Sequence, residues 1–137
     1  MSISIKITHN SEIVGIVSCL PNKKVSNDFY KKYFCEEEIE KVCKSIGVDS
    51  RFIINPNLNT SDLCLEAAKH LINKLNWNKN SIDGIILLTQ TPDAKLPASA
   101  FKIHKLLDLP SNAFAFDINL GCSAYPYGLW IASALMQ

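Results

Sequence analysis

The sequence predicts an α/β fold, and three observations carry that prediction. Short apolar runs bounded by polar residues recur at residues 13–17, 82–89 and 113–118. Longer stretches between them space their apolar side chains as helices do. The resulting order of strand, helices, strand, helix, strand, helix favours a mostly parallel, mixed sheet with helices on both faces.

Residues 13–17, Ile-Val-Gly-Ile-Val, read as a first buried strand that Pro21-Asn22 ends. Asn27-Asp28 can cap a helical segment through Phe34. Glu36, Glu37 and Glu38 then precede Lys41 and Lys44, the charge order a helix macrodipole favours, and Gly47 suits the stop. Residues 51–59 are polar and asparagine-rich around Pro56, which predicts a surface loop.

A long helix opens at Thr60-Ser61-Asp62. Leu63, Ala67, Leu71 and Leu75 recur every fourth residue, and Ala68 and Ile72 widen the stripe. Residues 76–81 end it. The continuous apolar run 82–89 is the pattern of a strand covered on both faces, and residues 89–95 form the loop beyond its carboxyl end. Pro97 suits a first helical turn, Ala100, Ile103 and Leu107 give that helix its apolar face, and Leu109-Pro110 closes it. Residues 113–118 form the next strand. The last helix, which includes the apolar residues 129–136, should start at Ser123 or Ala124, because Pro126 is tolerated only in a first turn.

Composition narrows the function. The chain has 137 residues, 47% hydrophobic and 20% charged, enough apolar material for a packed core and one structural unit over 1–137. A net charge of +1 lacks the basic excess of a nucleic-acid footprint, so no nucleic-acid partner is expected. Arg51 is the single arginine, which excludes a multi-arginine phosphate clamp within the chain. Cys19, Cys35, Cys43, Cys64 and Cys122 form no C-x-x-C pair, and an odd number argues against a closed disulfide framework. A reducing cytoplasm suits them. The amino terminus has no secretory pattern, and no apolar run approaches the ~20 residues of a membrane span.

Chemistry concentrates at Gly121-Cys122, between a strand and an apolar helix. A thiol attacks as thiolate, and unpaired N–H groups at a helix amino terminus favour that anion. Cys122 is therefore the candidate nucleophile. Cys19, Cys35, Cys43 and Cys64 have the pattern of filler, and His9, His70 and His104 sit in a polar terminus or on helical segments that suit structural roles. Asp117 and Asn119 are expected to bond the turn backbone.

Three motifs in order, Thr89-Gln-Thr-Pro-Asp93, Leu96-Pro-Ala-Ser-Ala100 and Phe116-Asp-Ile-Asn-Leu-Gly-Cys-Ser-Ala-Tyr125, resemble the amino-terminal half of a ketoacyl synthase III. That group belongs to the thiolase-fold condensing enzymes. The likeness runs from residue 12 to the end, with Ile46-Gly-Val-Asp-Ser-Arg-Phe52 similar to the family's early Gly-Ile-x-x-Arg segment. It implies a thiolase-like amino-terminal half in which Cys122 takes an acyl group from a thioester and passes it to a carbanion made by decarboxylating a malonyl carrier-protein thioester.

The resemblance further implies a homodimer when the protein is full length, no metal and no bound cofactor, with coenzyme A or acyl-carrier-protein thioesters as substrates. Leu96 matches the position that projects toward the partner subunit's acyl pocket. Where synthases that use acetyl-coenzyme A hold the adenine with a Trp and an Arg, an ungapped match back from Gly47 places Lys41 and Ser45. Lys41 and Lys44 are then the candidate phosphate contacts, and an acyl carrier protein is the alternative donor. Ala124 replaces a glycine common after the nucleophile. The family's catalytic histidine and asparagine belong to a carboxyl-terminal half outside these residues, so the chain is expected to be truncated and inactive alone. Two other readings stay open: a thiolase-fold acyltransferase forming esters or amides, and a noncatalytic interaction domain.

Overall fold

The structure, a computed structural model, describes residues 11–136. It divides into two compact units, one formed by Leu20–Leu58 and the other by the residues up to Cys19 together with those from Asn59 onward.

In the Leu20–Leu58 unit, β1 (Lys23–Ser26) pairs antiparallel with β2 (Ser50–Ile53), Lys23 opposite Ile53 and Ser26 opposite Ser50. β2 occupies the start of the expected loop, and β1 follows directly on the Pro21-Asn22 turn. Val25 is the one buried residue of the pair, so neither segment carries the alternation that marks a half-buried strand; the ladder is held through its backbone. A 3₁₀ helix, Asn27–Lys32, replaces most of the helix expected through Phe34. α1 (Glu36–Ile46) forms as the charge order predicts. Gly47 ends it in the left-handed region at φ 67°, its N–H 2.8 Å from the Cys43 carbonyl, a conformation without steric cost for glycine.

The second unit is built on α2 (Thr60–Leu75), β3 (Gly84–Leu88), α3 (Ser99–Leu107), β4 (Phe114–Ile118) and α4 (Ala124–Leu135). β3 and β4 pair in parallel with Gly84 opposite Phe114 and Leu88 opposite Ile118. Side chains of a strand alternate between faces, and here each face meets a helix. Ile85 and Leu87 pack with Leu65 and Ile72 of α2 and Ala100, Ile103 and Leu107 of α3. Leu88 meets α4 at Gly128, where an added Cβ would come within 2.6 Å of its side chain. Removing such aliphatic side chains from water stabilises the unit by about 1.5–3 kcal/mol each.

The strand expected at residues 13–17 joins no ladder among the described residues. Gly15, Val17 and Cys19 are half-buried while Val14, Ile16 and Ser18 are exposed, the alternation of extended chain. Its inward side lies on a helix instead of beside a strand: a Cβ on Gly15 would stand 2.9 Å from Leu71 Cδ1 and 3.2 Å from Leu75 Cδ1.

Two carboxylates set the helix starts. Asp117 Oδ2 accepts the Ser99 N–H at 2.7 Å and Oδ1 accepts the Ala100 N–H at 2.8 Å, satisfying first-turn donors that have no partner inside α3. This bond starts the helix at Ser99 and leaves Pro97 before it, outside the first turn the sequence suggests. It also sends Asp117 to a neighbouring helix rather than to its own turn. In the same manner Asp93 Oδ1 accepts the Ser61 N–H at 3.2 Å, and Oδ2 accepts the hydroxyl of Ser61, which is fully buried in the first turn of α2. Lys102 Nζ bridges Asp62 at 2.7 Å and Asp93 at 3.1 Å, and the Asp93 N–H donates to Ser99 Oγ at 2.9 Å.

These bonds hold Asp62 below the usual aspartate range, the Lys102 ammonium first and the Asn59 N–H second. For Asp93 burial acts in the opposite direction, but the Ser61 and Lys102 donors together outweigh it and lower its pKa. Lys102 is raised, chiefly by Asp62.

Asp117→Ala leaves the first N–H groups of α3 buried without acceptors and is expected to cost roughly 3 kcal/mol, read as a lower denaturant midpoint. A carboxylate with a depressed folded pKa contributes stability above its unfolded value and loses it as pH falls through the folded one. The midpoint should therefore fall as pH drops below about 4, and Asp93→Asn should flatten that acid limb. The raised Lys102 works at the other end, its contribution intact below about pH 10 and lost above it.

Candidate active site

β4 ends at Ile118, and the chain turns at once into α4. The Leu120 N–H reaches the Ile118 carbonyl at 3.0 Å, the Ala124 N–H the Gly121 carbonyl at 2.9 Å, and the Tyr127 N–H the Ser123 carbonyl at 3.3 Å. Cys122 stands within this turn, exposed, just ahead of the first residue of α4. Pro126 falls in the first turn, where its missing N–H breaks no intrahelical bond, and of the two starts the sequence allows, Ser123 and Ala124, the observed one is Ala124.

The loop after β3 comes to the same place. Parallel pairing extends one step past the strands through the Thr89 N–H and the Ile118 carbonyl at 3.2 Å, so the residues that follow each strand emerge side by side. Gln90 Oε1 lies 3.0 Å from where a Cβ on Gly121 would be; glycine there admits the amide against the turn that carries Cys122. Sequence reasoning assigned Gln90 no role, although the adjacency of two parallel strands was the signal that could have found it. Thr91 bonds Thr89 and Thr60 through hydroxyls at 3.2 and 3.1 Å, and with Asp93 it pins this loop to the start of α2.

Leu96 projects outward from the same loop, 87% exposed. Lys41 and Lys44 lie on α1 in the Leu20–Leu58 unit, both exposed, with Lys44 3.5 Å from Glu40. The apolar pocket of that unit is lined by Asn27, Tyr30, Phe34, Val42 and Arg51 among others, and by neither lysine.

His70 is exposed on α2, and His104 on α3 places Nε2 3.0 Å from the Pro110 carbonyl oxygen. His9 lies outside the described residues. Burial pushes the Cys64 thiol up, as does the charge of Asp93, which removes it from the nucleophile candidates. Among the described residues no group of three or more His, Cys, Asp or Glu is placed to hold a metal, and no helix is long and apolar enough to cross a membrane.

No family model matches the chain. It is 41% identical over 127 residues to a beta-ketoacyl-[acyl-carrier-protein] synthase III of Ehrlichia canis, covering 93% of this chain and 39% of that protein. The synthase III of Ehrlichia ruminantium strain Gardel is 39% identical over 129 residues, with the same coverages. The chain thus spans about two-fifths of the length of these curated relatives. In three dimensions it resembles the crystal structure of a 3-oxoacyl-(acyl-carrier protein) synthase from Burkholderia xenovorans, with a TM-score of 0.85 and 43% identity over 90% of this chain and 35% of that one. A likeness of this strength in both sequence and backbone relates the chain, over about two-fifths of their length, to the 3-oxoacyl-[acyl-carrier-protein] synthase III proteins and gives it their thiolase-like α/β fold.

Proposed function

We propose that the chain is the acyl-accepting part of a 3-oxoacyl-[acyl-carrier-protein] synthase III-like acyltransferase. The observation that carries this reading is the exposed thiol of Cys122 in the strand-to-helix turn of a chain similar to synthase III proteins. The Cys122 thiolate attacks the carbonyl carbon of an acyl thioester, and the carrier leaves as its thiolate. A malonyl carrier-protein thioester then loses carbon dioxide. Its carbanion attacks the acyl-enzyme carbonyl, forms the new carbon–carbon bond and expels the Cys122 thiolate.

Backbone geometry supports the first half of that sequence. Cys122 is exposed in the turn just ahead of α4, where a thioester carbonyl can reach its sulfur from solvent. Proton transfer in the second half needs groups beyond the residues described here, for which the family supplies a histidine and an asparagine. Leu96, outward and unburied, fits a role at the partner subunit's acyl pocket in a full-length homodimer. Coenzyme A and acyl carrier protein both remain donors in this proposal; Lys41 and Lys44 would meet phosphate in either, and the cytoplasm would be its compartment.

Incubating the full-length protein with an acyl thioester should add the acyl mass to the peptide bearing Cys122 and to no other. Acylation that persists in Cys122→Ala would show that a different residue is the nucleophile. The 137-residue chain on its own should release no ketoacyl product from acyl and malonyl thioesters, measured by product mass; detecting that product would reject the need for a second half.

A further inference from the structure

Cys19 and Cys64 are both free, half-buried and unused by the chemistry of Cys122. They belong to the same compact unit, Cys19 on the extended amino-terminal segment and Cys64 on α2. One contact relates the two segments. Gly15 sits against Leu71 and Leu75. The middle of that contact is nine residues beyond Cys64, about 13 Å of helix rise. Cys19 is four residues beyond Gly15, about 13 Å of extended chain, and falls on the same inward side because strand side chains repeat every second residue. Laid antiparallel to α2, the segment would carry Cys19 to the level of Cys64, which is seven residues before Leu71 and so on the same helix face.

Electrostatics gives an independent sign of that proximity, since the charge of Cys19 is one of the causes that push the Cys64 thiol up, after burial and Asp93. We infer that Cys19 and Cys64 are a redox-sensitive thiol pair that closes to a disulfide when a small disulfide oxidant such as glutathione disulfide is present.

The exchange balances without a metal or flavin. The Cys19 thiolate attacks one sulfur of glutathione disulfide, forms a mixed disulfide and releases one glutathione thiolate. Cys64 gives its proton to solvent, attacks the Cys19 sulfur, forms the intramolecular bond and expels a second glutathione thiolate. Two electrons pass from the protein thiols to the oxidant, and the protons they release meet the two glutathione thiolates. Cys64 is the later attacker because its thiol ionises less readily than an ordinary one.

The chain between the two cysteines consists of the Leu20–Leu58 unit and the five residues that lead back into α2. The disulfide therefore closes the neck through which that unit is inserted, one helical turn from the buried Ser61 that Asp93 holds.

The test treats the purified chain with glutathione disulfide, blocks remaining thiols, digests without reduction and maps the peptides by mass. A linked pair carrying Cys19 and Cys64 is expected, together with a rise in the melting temperature of about 5 °C that dithiothreitol reverses. Neither should occur in Cys19→Ser, which keeps the α2 core side chains intact and whose folding is checked by circular dichroism. Cys122 and Cys35, both exposed, should instead retain glutathione as mixed disulfides. Recovery of Cys64 as a blocked free thiol while Cys19 holds glutathione, or of either cysteine linked to a third, overturns the inference.

Discussion

The carboxylate of Asp117 joins the sheet to the helix that precedes its strand, and the geometry of the site hangs on that bond. A strand end is held by its ladder; a helix start is held by whatever accepts its first N–H groups. Asp117 belongs to the first and serves the second, so β4 and α3 cannot move apart without leaving the buried donors of Ser99 and Ala100 unpaired. Asp93 repeats the device between the β3 loop and α2. With both in place the two loops at the carboxyl ends of the parallel strands are fixed on the outside by helices and on the inside by the ladder, and Gln90 meets Gly121 as a result.

Cys122 is positioned from its other side by α4. Gly128 lets that helix approach Leu88 closely, and Ser133 is bound by the hydroxyl of Ser11 at 3.0 Å, so the helix behind Cys122 is anchored at two points along its length. The thiol itself stays in solvent. Rigidity therefore lies in the backbone behind the sulfur, and open space lies before it.

Much of this was legible from residue spacing. α1, α2, β3, β4 and α4 follow from periodicity, charge order and the punctuation supplied by Gly47, Asn76 and Pro126, all local signals. What escaped was nonlocal. β1 and β2 bury one side chain between them and exist because each completes the other's backbone bonds across a separation that periodicity does not span. Residues 13–17 have the composition of a strand, but Gly15 rests against α2 and they join no ladder among the described residues, a choice of neighbour that composition does not encode. The candidate nucleophile was visible because a Gly-Cys turn is a local pattern. Asp93 and Asp117 were harder, since a capping carboxylate usually stands beside its helix in sequence, and these act at separations of 32 and 18 residues.

Both caps also point the same way along the chain. Asp93 comes after α2, and Asp117 comes after α3. A ribosome delivers residues from the amino end, with domains settling as they emerge. Each of these helices is therefore synthesised before the group that completes its first turn: α2 waits for the loop after β3, and α3 waits for β4. The nascent chain can complete the start of α2 once the loop after β3 has appeared, but that of α3 only when the segment leading directly to Cys122 has, so the order of synthesis ties the last step in consolidating the scaffold to the arrival of Cys122.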